Sequence, residues 1–344
     1  MKPITIIGGG LAGLTLGIGL RQRGIPVVIW EAGNYPRHRV CGEFISGRGQ
    51  DTLARLGLRD SLVRAGAVAA RNAAFFSGQA SSPVRPLPSP ALCLSRFRMD
   101  ALLAGHFRRQ GGELRENERW REKPFDEGIV RASGRRSQPV ENGRRWFGLK
   151  VHARNVALAA DLEMHVSSLG YVGLCRLGGG EVNVCGLFRR SAAGHDSAES
   201  WQELLRGKPG TVSNARLAGA VFDETSFRSI AGLPLLPQSA AGRSECCIGD
   251  ALTMIPPVTG NGMSMAFESA EIAIEPLAAY SRGECSWTQA QQKIARACDS
   301  AFSRRLTWAK WLQRIMFAPV ARNRVGWALL RSQWLWRTMF AKTR

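Results

Sequence analysis

No stretch of the chain stays uncharged long enough to cross a bilayer, which argues against a transmembrane helix. None of the eight cysteines forms a CxxC pair or joins histidines at ligand spacing, so no metal site is expected. Acidic residues are scarce: 27 stand against 47 basic ones, a net charge of +20 at pH 7, and between Ser300 and Arg344 ten basic residues occur with no acid at all. A chain this basic meets an anion, whether nucleic acid, a membrane surface or an acidic ligand. No recognition motif accompanies the charge, which argues against nucleic acid. The adjacent Cys246 and Cys247 lie in an apolar, strand-like run and read as buried thiols of a reducing compartment. Residues 4 to 20 are apolar, but only Lys2 precedes them, too little for the basic flank of a signal peptide. A cytoplasmic protein is expected. With 344 residues, 44% of them hydrophobic, the chain has room for two or three compact units.

The first 31 residues carry the clearest pattern. An apolar strand, Ile4-Thr5-Ile6-Ile7, runs into Gly8-Gly9-Gly10-Leu11-Ala12-Gly13 and then a helix. Gly8 permits a tight turn, Gly10 lets backbone approach a pyrophosphate, and Gly13 lets the helix pack on the strand. The helix N-terminus, opened by Leu11 and Ala12, then faces the phosphates. After Gly24, a second buried strand from Pro26 to Trp30 ends at Glu31, where a carboxylate can accept hydrogen bonds from a ribose diol.

Next, Tyr35-Pro36-Arg37-His38-Arg39-Val40-Cys41-Gly42-Glu43 must still run along the nucleotide. Arg37 and Arg39 are placed to meet phosphate charge, and Cys41-Gly42 to bring a thiol and open backbone near the reactive end. Taken alone, the stretch reads rather as a surface loop with a half-buried cysteine. Residues 48 to 66 have the periodicity of one amphipathic helix. The Ser- and Pro-rich residues 77 to 91 mark an excursion, after which Leu92 to Leu94 feed a helix through Arg96 and Asp100. Arg96 reaches either a ligand or Asp100. A short strand follows at Gly128 to Ala132, then the polar turn Ser133-Gly134. Alternation over Trp146 to Ala153, Leu162 to Val166, Gly170 to Leu177 and Val182 to Leu187 predicts a half-buried antiparallel sheet that walls a substrate chamber, with His152 and His165 as structural groups.

The opening pattern then returns. A strand through Cys246 and Cys247 ends at Gly249-Asp250, and Pro257-Val258-Thr259-Gly260-Asn261-Gly262-Met263 opens a helix from Ser264 to about Tyr280. Asp250 suits a sugar-like hydroxyl, and the helix start at Gly260, Asn261, Gly262 and Met263 suits a ring that gains negative charge on reduction. A nicotinamide alone has no use for this second element, whereas a flavin does.

These motifs resemble the FAD-dependent superfamily of p-hydroxybenzoate hydroxylase-type monooxygenases, squalene epoxidase and geranylgeranyl reductases. The resemblance covers residues 1 to about 285 and implies FAD held by Gly8, Gly10, Gly13 and Glu31, by Arg96 four residues before Asp100, by Asp250 on the ribitol, and by the Pro257 to Gly262 loop at the flavin, with NAD(P)H as electron donor. Pro36 followed by Cys41-Gly42 resembles an element of geranylgeranyl reductases in which the cysteine lies near the flavin, and makes Cys41 the one candidate for a catalytic role. Two departures stand out: Ser133-Gly134 replaces the Asp-Gly pair that hydroxylases associate with FAD and NAD(P)H, and Glu113 to Gly128 is short for the family's meander.

The expected architecture is α/β. A Rossmann-like FAD-binding domain of the glutathione-reductase type (1–75, 92–137 and 240–285) carries an inserted antiparallel sheet domain (76–91 and 138–239) and a basic, Trp-rich helical segment (286–344). In that segment Trp308, Trp311, Leu312, Ile315 and Met316, then Val325, Leu329, Leu330, Trp334, Leu335 and Met339, fall at helical spacing. Residues 302–344 suit either an anionic membrane on its inner face or packing on the core. The leading functional expectation is reduction of a carbon double bond in a hydrophobic, prenyl-, lipid- or polyketide-like substrate. The alternatives are hydroxylation or epoxidation by a monooxygenase, and a flavin-binding, membrane-associated partner without turnover.

Overall fold

The computed structural model describes residues 1–121, 125–135, 143–191, 200–233, 235, 238–317 and 332–343. The chain opens with β1 (Ile4–Ile7), α1 (Leu11–Arg21), β2 (Val27–Glu31), β3 (Phe44–Ile45), α2 (Arg48–Arg55) and α3 (Arg59–Arg64). There follow β4 (Val68–Ser77), β5 (Ala80–Ser81), β6 (Arg85–Cys93), α4 (Arg96–Arg109), β7 (Glu113–Glu116) and β8 (Ile129–Arg131). The middle comprises β9 (Arg144–Arg154), β10 (Leu162–Val166), β11 (Gly170–Arg176), β12 (Val182–Ser191), α5 (Trp201–Arg206), α6 (Val212–Leu217) and β13 (Val221–Ala231). The last elements are β14 (Cys246–Cys247), α7 (Gly262–Arg282), α8 (Trp287–Phe317) and α9 (Gln333–Thr343).

A five-stranded sheet runs in the order β14-β8-β1-β2-β7, and every pair in it is parallel. The strands β1, β2 and β14 are largely buried, as parallel strands covered by helices are, while the edge strand β7 is half-exposed. Helix α1 lies so close that a side chain at Gly17 would strike Ile29 and Phe107. The larger sheet, β13-β9-β12-β11-β10-β4-β6-β3 with β5 on β4, is antiparallel except where β10 runs parallel to β4 with Leu162 opposite Ala73. It takes in Phe44–Ile45 and the whole of 68–93, so it begins earlier in the chain than the excursion at residue 76.

The amphipathic run 48 to 66 forms two short helices rather than one. They part at Gly57, whose φ of 69° ends α2, and Leu58 then caps α3. Between β7 and β8 no strand forms among the described residues. The main core packs β1, β2 and β8 against α1, α4, α7 and α8. Helix α8 also seats Leu312 and Phe317 on Trp146, Tyr171 and Val258, while Trp336 of α9 joins Ala73, Leu162 and Cys175 of the larger sheet. The C-terminal helices therefore pack on the core. The tail residues Val325, Leu329 and Leu330 and the side chains of Leu335 and Met339 lie outside the described residues.

Candidate functional site

A cavity of about 1210 Å³ lies between the carboxyl ends of β1, β2 and β8 and the larger sheet. This is where ligands sit in open parallel sheets. At one end Gly8 (φ 110°) passes so close to β8 that a Cβ would come within 2.5 Å of the Ala132 carbonyl oxygen. Gly10 is the reverse case, since a Cβ there meets nothing within 4 Å and its open side faces the cavity with Leu11 and Ala12. Helix α1 starts at Gly10 without a side-chain cap, so its first-turn amides are free for an anion. Gly13 does not line the cavity; it packs against the Gly8 carbonyl and fixes the turn.

Glu31 ends β2 at the cavity edge. Its Oε2 accepts from the Gly9 amide and its Oε1 from the Gly33 amide, both at 2.9 Å, with Arg37 Nη2 2.7 Å from Oε1. Burial works to raise this carboxyl, but the Arg37 hydrogen bond and charge, the Gly33 amide and Arg39 together hold it below the usual range. Each carboxylate oxygen has two acceptor positions, so Oε2 keeps capacity for a hydroxyl donor. Arg39 lines the cavity between Glu31 (3.7 Å) and Asp100 (3.4 Å).

Arg96 also lines the cavity, but its guanidinium is held in a bidentate pair with the fully buried Asp100, at 2.7 and 2.9 Å. Of the two roles open to it, the structure shows this pairing. Cys41 faces the cavity as well. Burial pushes its thiol up, with Arg96 opposing and Glu43 reinforcing the shift, so it is a protonated thiol rather than a thiolate.

The second element converges from the other side. Asp250 opens onto the cavity. Desolvation by the surrounding cavity walls raises the carboxyl, while Arg135 and Arg96 lower it, although the residue is exposed on the cavity side. Pro257–Thr259 makes one tight turn, Gly260 (φ 64°) abuts the Phe44 ring, and α7 begins without a side-chain cap. A Cβ at Gly262 meets nothing within 4 Å, and Pro257, Gly260, Gly262 and Met263 all line the cavity. Asn261 does not. Its side chain turns inward, 1% exposed, and accepts from the Ser46 hydroxyl at 3.2 Å. Two uncapped helix starts, two open glycine positions and two carboxylates along one cavity fit an extended dinucleotide whose far end gains negative charge.

Beyond the Phe44 ring the cavity continues under the larger sheet, walled by Phe75, Met164, Leu174, Leu312, Trp336 and Phe340. Trp336 packs edge-on to Phe75 with ring centroids 5.2 Å apart. Trp336 and Phe340 are chamber residues that helical spacing alone did not assign. The clearest omission is a buried polar group on this wall: Glu43 and Lys150, each 0% exposed, with His152 and His38. A lysine within the apolar alternation of Trp146 to Ala153 was its sequence signal. His165 is bonded to Glu163 at 2.9 Å and stacked on Phe76, as a structural histidine would be. Among the described residues no cluster of acids, histidines and cysteines could hold a metal ion.

Residues 1–154 match the family model described as FAD binding domain. Solved structures share the fold across nearly the whole chain. The flavin-dependent brominase Bmp2 is 16% identical, with a TM-score of 0.77 over 98% of this chain and 92% of its own. The myxobacterial chondrochloren halogenase CndH, a variant of FAD-dependent halogenases, is 21% identical with a TM-score of 0.76 over 100% and 90%. PqsL of P. aeruginosa, solved with 2-aminobenzoylacetate, is 17% identical with a TM-score of 0.70 over 93% and 98%. A comparison with curated proteins gave no match. The family match over residues 1–154 identifies an FAD-binding domain, and the solved structures share the whole fold: a Rossmann-like parallel sheet, a second, mostly antiparallel sheet and C-terminal helices.

Proposed function

We propose that the protein is a monooxygenase that uses NAD(P)H-reduced FAD to hydroxylate or epoxidise a hydrophobic aromatic, polyketide-like or alkene substrate. The two-part cavity carries this reading: a nucleotide end made of two open helix N-termini continues into a chamber with aromatic walls. Its volume of about 1210 Å³ exceeds the roughly 300–1,000 Å³ of ordinary single-ligand pockets, leaving room for flavin and substrate together. FAD supplies the redox chemistry when bound. The chain binds the pyrophosphate at α1, turns the α7 N-terminus toward the ring edge that gains charge, and holds the substrate away from water.

Double-bond reduction, the leading expectation from Pro36 and Cys41-Gly42, has weaker support. Cys41 faces the cavity, but burial pushes its thiol up, away from the thiolate that a nucleophilic role would need. Oxidative halogenation is a second reading, favoured by the fold shared with the brominase and the halogenase. The deciding experiment incubates the purified protein with NADH or NADPH, oxygen, bromide and a panel of phenols and terminal alkenes, then weighs the products. Gain of an oxygen atom is expected. Gain of bromine moves the assignment to halogenation, a saturated product to reduction, and a flavin that neither nicotinamide bleaches removes NAD(P)H as donor.

We also propose that the C-terminal segment of a cytoplasmic enzyme rests on an anionic membrane through a face the core leaves free. Phe302, Leu306 and Leu312 of α8 pack inward, whereas Trp311 and Trp334 are 52% and 71% exposed in a segment, 300–344, that carries no acid. No described helix is long and apolar enough to cross a membrane. Phosphatidylserine vesicles should sediment the protein, and the double substitution Trp311→Ala, Trp334→Ala should weaken that binding by roughly tenfold. Equal binding to neutral phosphatidylcholine vesicles removes the proposal.

A further inference from the structure

One row of the larger sheet runs from an arginine to the aromatic wall. Backbone pairing sets Arg228 on β13 opposite Lys150, Lys150 opposite Cys185, Cys185 opposite Gly173, Gly173 opposite Met164 and Met164 opposite Phe75. Paired residues share a face of the sheet, and all of these except Lys150 line the cavity. Lys150 is fully buried because His38 and Glu43 close over it, with its Nζ 3.1 Å from His38 Nδ1 and 3.6 Å from Glu43 Oε1. Along the row, the segment that carries His38 and Glu43 therefore separates Arg228 from Met164 and Phe75. Arg228 stands four strand spacings from Met164, about 19 Å.

The β13 side of this crossing is rich in unspent donors. Arg228 uses only Nη1, on the carbonyls of Thr225 and Phe227. Arg135 uses Nη2 on the Ala231 carbonyl at 3.3 Å, and its Nε is buried without a hydrogen-bond partner. Both side chains line the cavity, and a guanidinium has five N–H donors, so most of theirs remain open. His38, which also lines the cavity, adds a fixed donor. An ammonium has only donors, so Nδ1 accepts from Lys150 and the ring proton rests on Nε2, which has no partner among the described residues and is not closed off by them. The ring belongs to this side: it meets His152 edge-on at 5.1 Å, and His152 pairs with Asp223 of β13.

Burial first, then Lys150, His152 and Arg228, hold the His38 imidazole down to about 4 against the opposing pull of Glu43, so at pH 7 it is an uncharged donor beside charged arginines. Asp223 stands near but is turned back on the Thr225 amide and hydroxyl, at 3.1 and 2.6 Å. Donor-only groups from separate elements, facing one space, suit an oxyanion with several acceptor oxygens. The aromatic substrate wall lies across the crossing, and the phosphates of FAD have their place at the free amides of α1. The oxyanion left for this side is that of the electron donor.

We propose that His38, Arg228 and Arg135 form the subsite that binds the phosphates of the nicotinamide dinucleotide, with Lys150 and Glu43 holding His38 as its donor. The subsite rests on the reading that NAD(P)H reduces the enzyme.

The test compares two donors on oxidised holoenzyme without oxygen: NADPH or NADH, and 1-benzyl-1,4-dihydronicotinamide, which has the same dihydropyridine ring but no phosphate. Each is scored by the second-order rate of flavin bleaching. Arg228→Gln and Arg135→Gln should each lower the ratio of the dinucleotide rate to the benzyl analogue's rate by roughly tenfold, the loss expected for one charge-assisted hydrogen bond. His38→Ala should lower it likewise, and His38→Gln, which keeps an N–H donor, should recover most of the loss. The double substitution Glu43→Gln, Lys150→Met removes both buried charges without leaving one unpaired. Ring-nitrogen NMR should then show His38 exchanging between two neutral tautomers where the wild type shows one. A ratio unchanged in both arginine variants overturns the subsite, and weaker binding of 4-phenylbutyrate by the same variants would give the site to a substrate carboxylate. Mixed tautomers in the wild type overturn the role of Lys150. A wild-type flavin that the benzyl analogue bleaches and neither dinucleotide does overturns the donor assignment beneath the proposal. Bromination or double-bond saturation with the ratio shift intact overturns only the monooxygenase reading and supports the subsite.

Discussion

Gly10→Val should yield a folded protein that binds no flavin. Gly10 has extended backbone, φ −80° and ψ −171°, which valine adopts without strain, and a Cβ built there touches nothing within 4 Å. The added side chain therefore costs the fold little. It projects into the space before the free amides of α1, where the dinucleotide phosphates must approach to hydrogen-bond backbone. Loss of at least about a hundredfold in FAD affinity is expected, close to 2.8 kcal/mol at ~1.4 kcal/mol per tenfold. The measurement is the ratio of flavin to protein absorbance after purification, with circular dichroism to confirm an unchanged fold. Gly13→Ala is the contrasting control, because its methyl group would be driven into the Gly8 carbonyl and would disturb the turn itself. A yellow Gly10→Val protein with stoichiometric FAD would place the cofactor elsewhere.

The nucleotide end was legible in the sequence because its constraints are local. Turn, helix start and carboxylate fall within 31 consecutive residues, and each requirement selects one kind of residue: glycine where backbone must come close, an acid at a strand end. The same grammar recurs at Asp250 and Gly260 to Met263. The chamber end is assembled from distant segments, and local pattern says little about it. His38 and Lys150 meet across a separation of 112 residues, and Glu43 and His152 across 109. Trp334 and Trp336 stand two residues apart on α9, yet the first is 71% exposed and the second 4%, a distinction made by what α9 packs against. Asn261 sits inside the glycine-rich motif but turns its amide away from the cavity to Ser46, because the first turn of α7 must also be anchored to the chain before α2. The expected single helix at 48–66 divided because glycine at position 57 adopts a backbone form that ends a helix, an outcome that hydrophobic periodicity does not register.

Arg305→Met should be the most destabilising single change in the C-terminal segment. Arg305 of α8 and Glu268 of α7 are 6% and 8% exposed at the side chain, and the guanidinium meets both carboxylate oxygens, Nη1 at 2.8 Å from Oε1. It also lies over the Phe302 ring at 5.3 Å. Removing the arginine leaves the carboxylate buried and uncompensated, which costs about 3–5 kcal/mol. At roughly 2 °C per kcal/mol for a chain of this size, the apparent melting temperature should fall by about 6–10 °C. Replacing both partners with methionine should recover most of that loss, because no charge is then left in the interior. The pair ties the flavin-facing helix to the helix that carries Leu312 into the chamber wall, so the single variant should also shift the visible spectrum of bound FAD, whereas the double variant should not. A single variant that melts with the wild type would mean that α8 is held by its apolar contacts alone, and that the chamber owes nothing to this buried charge.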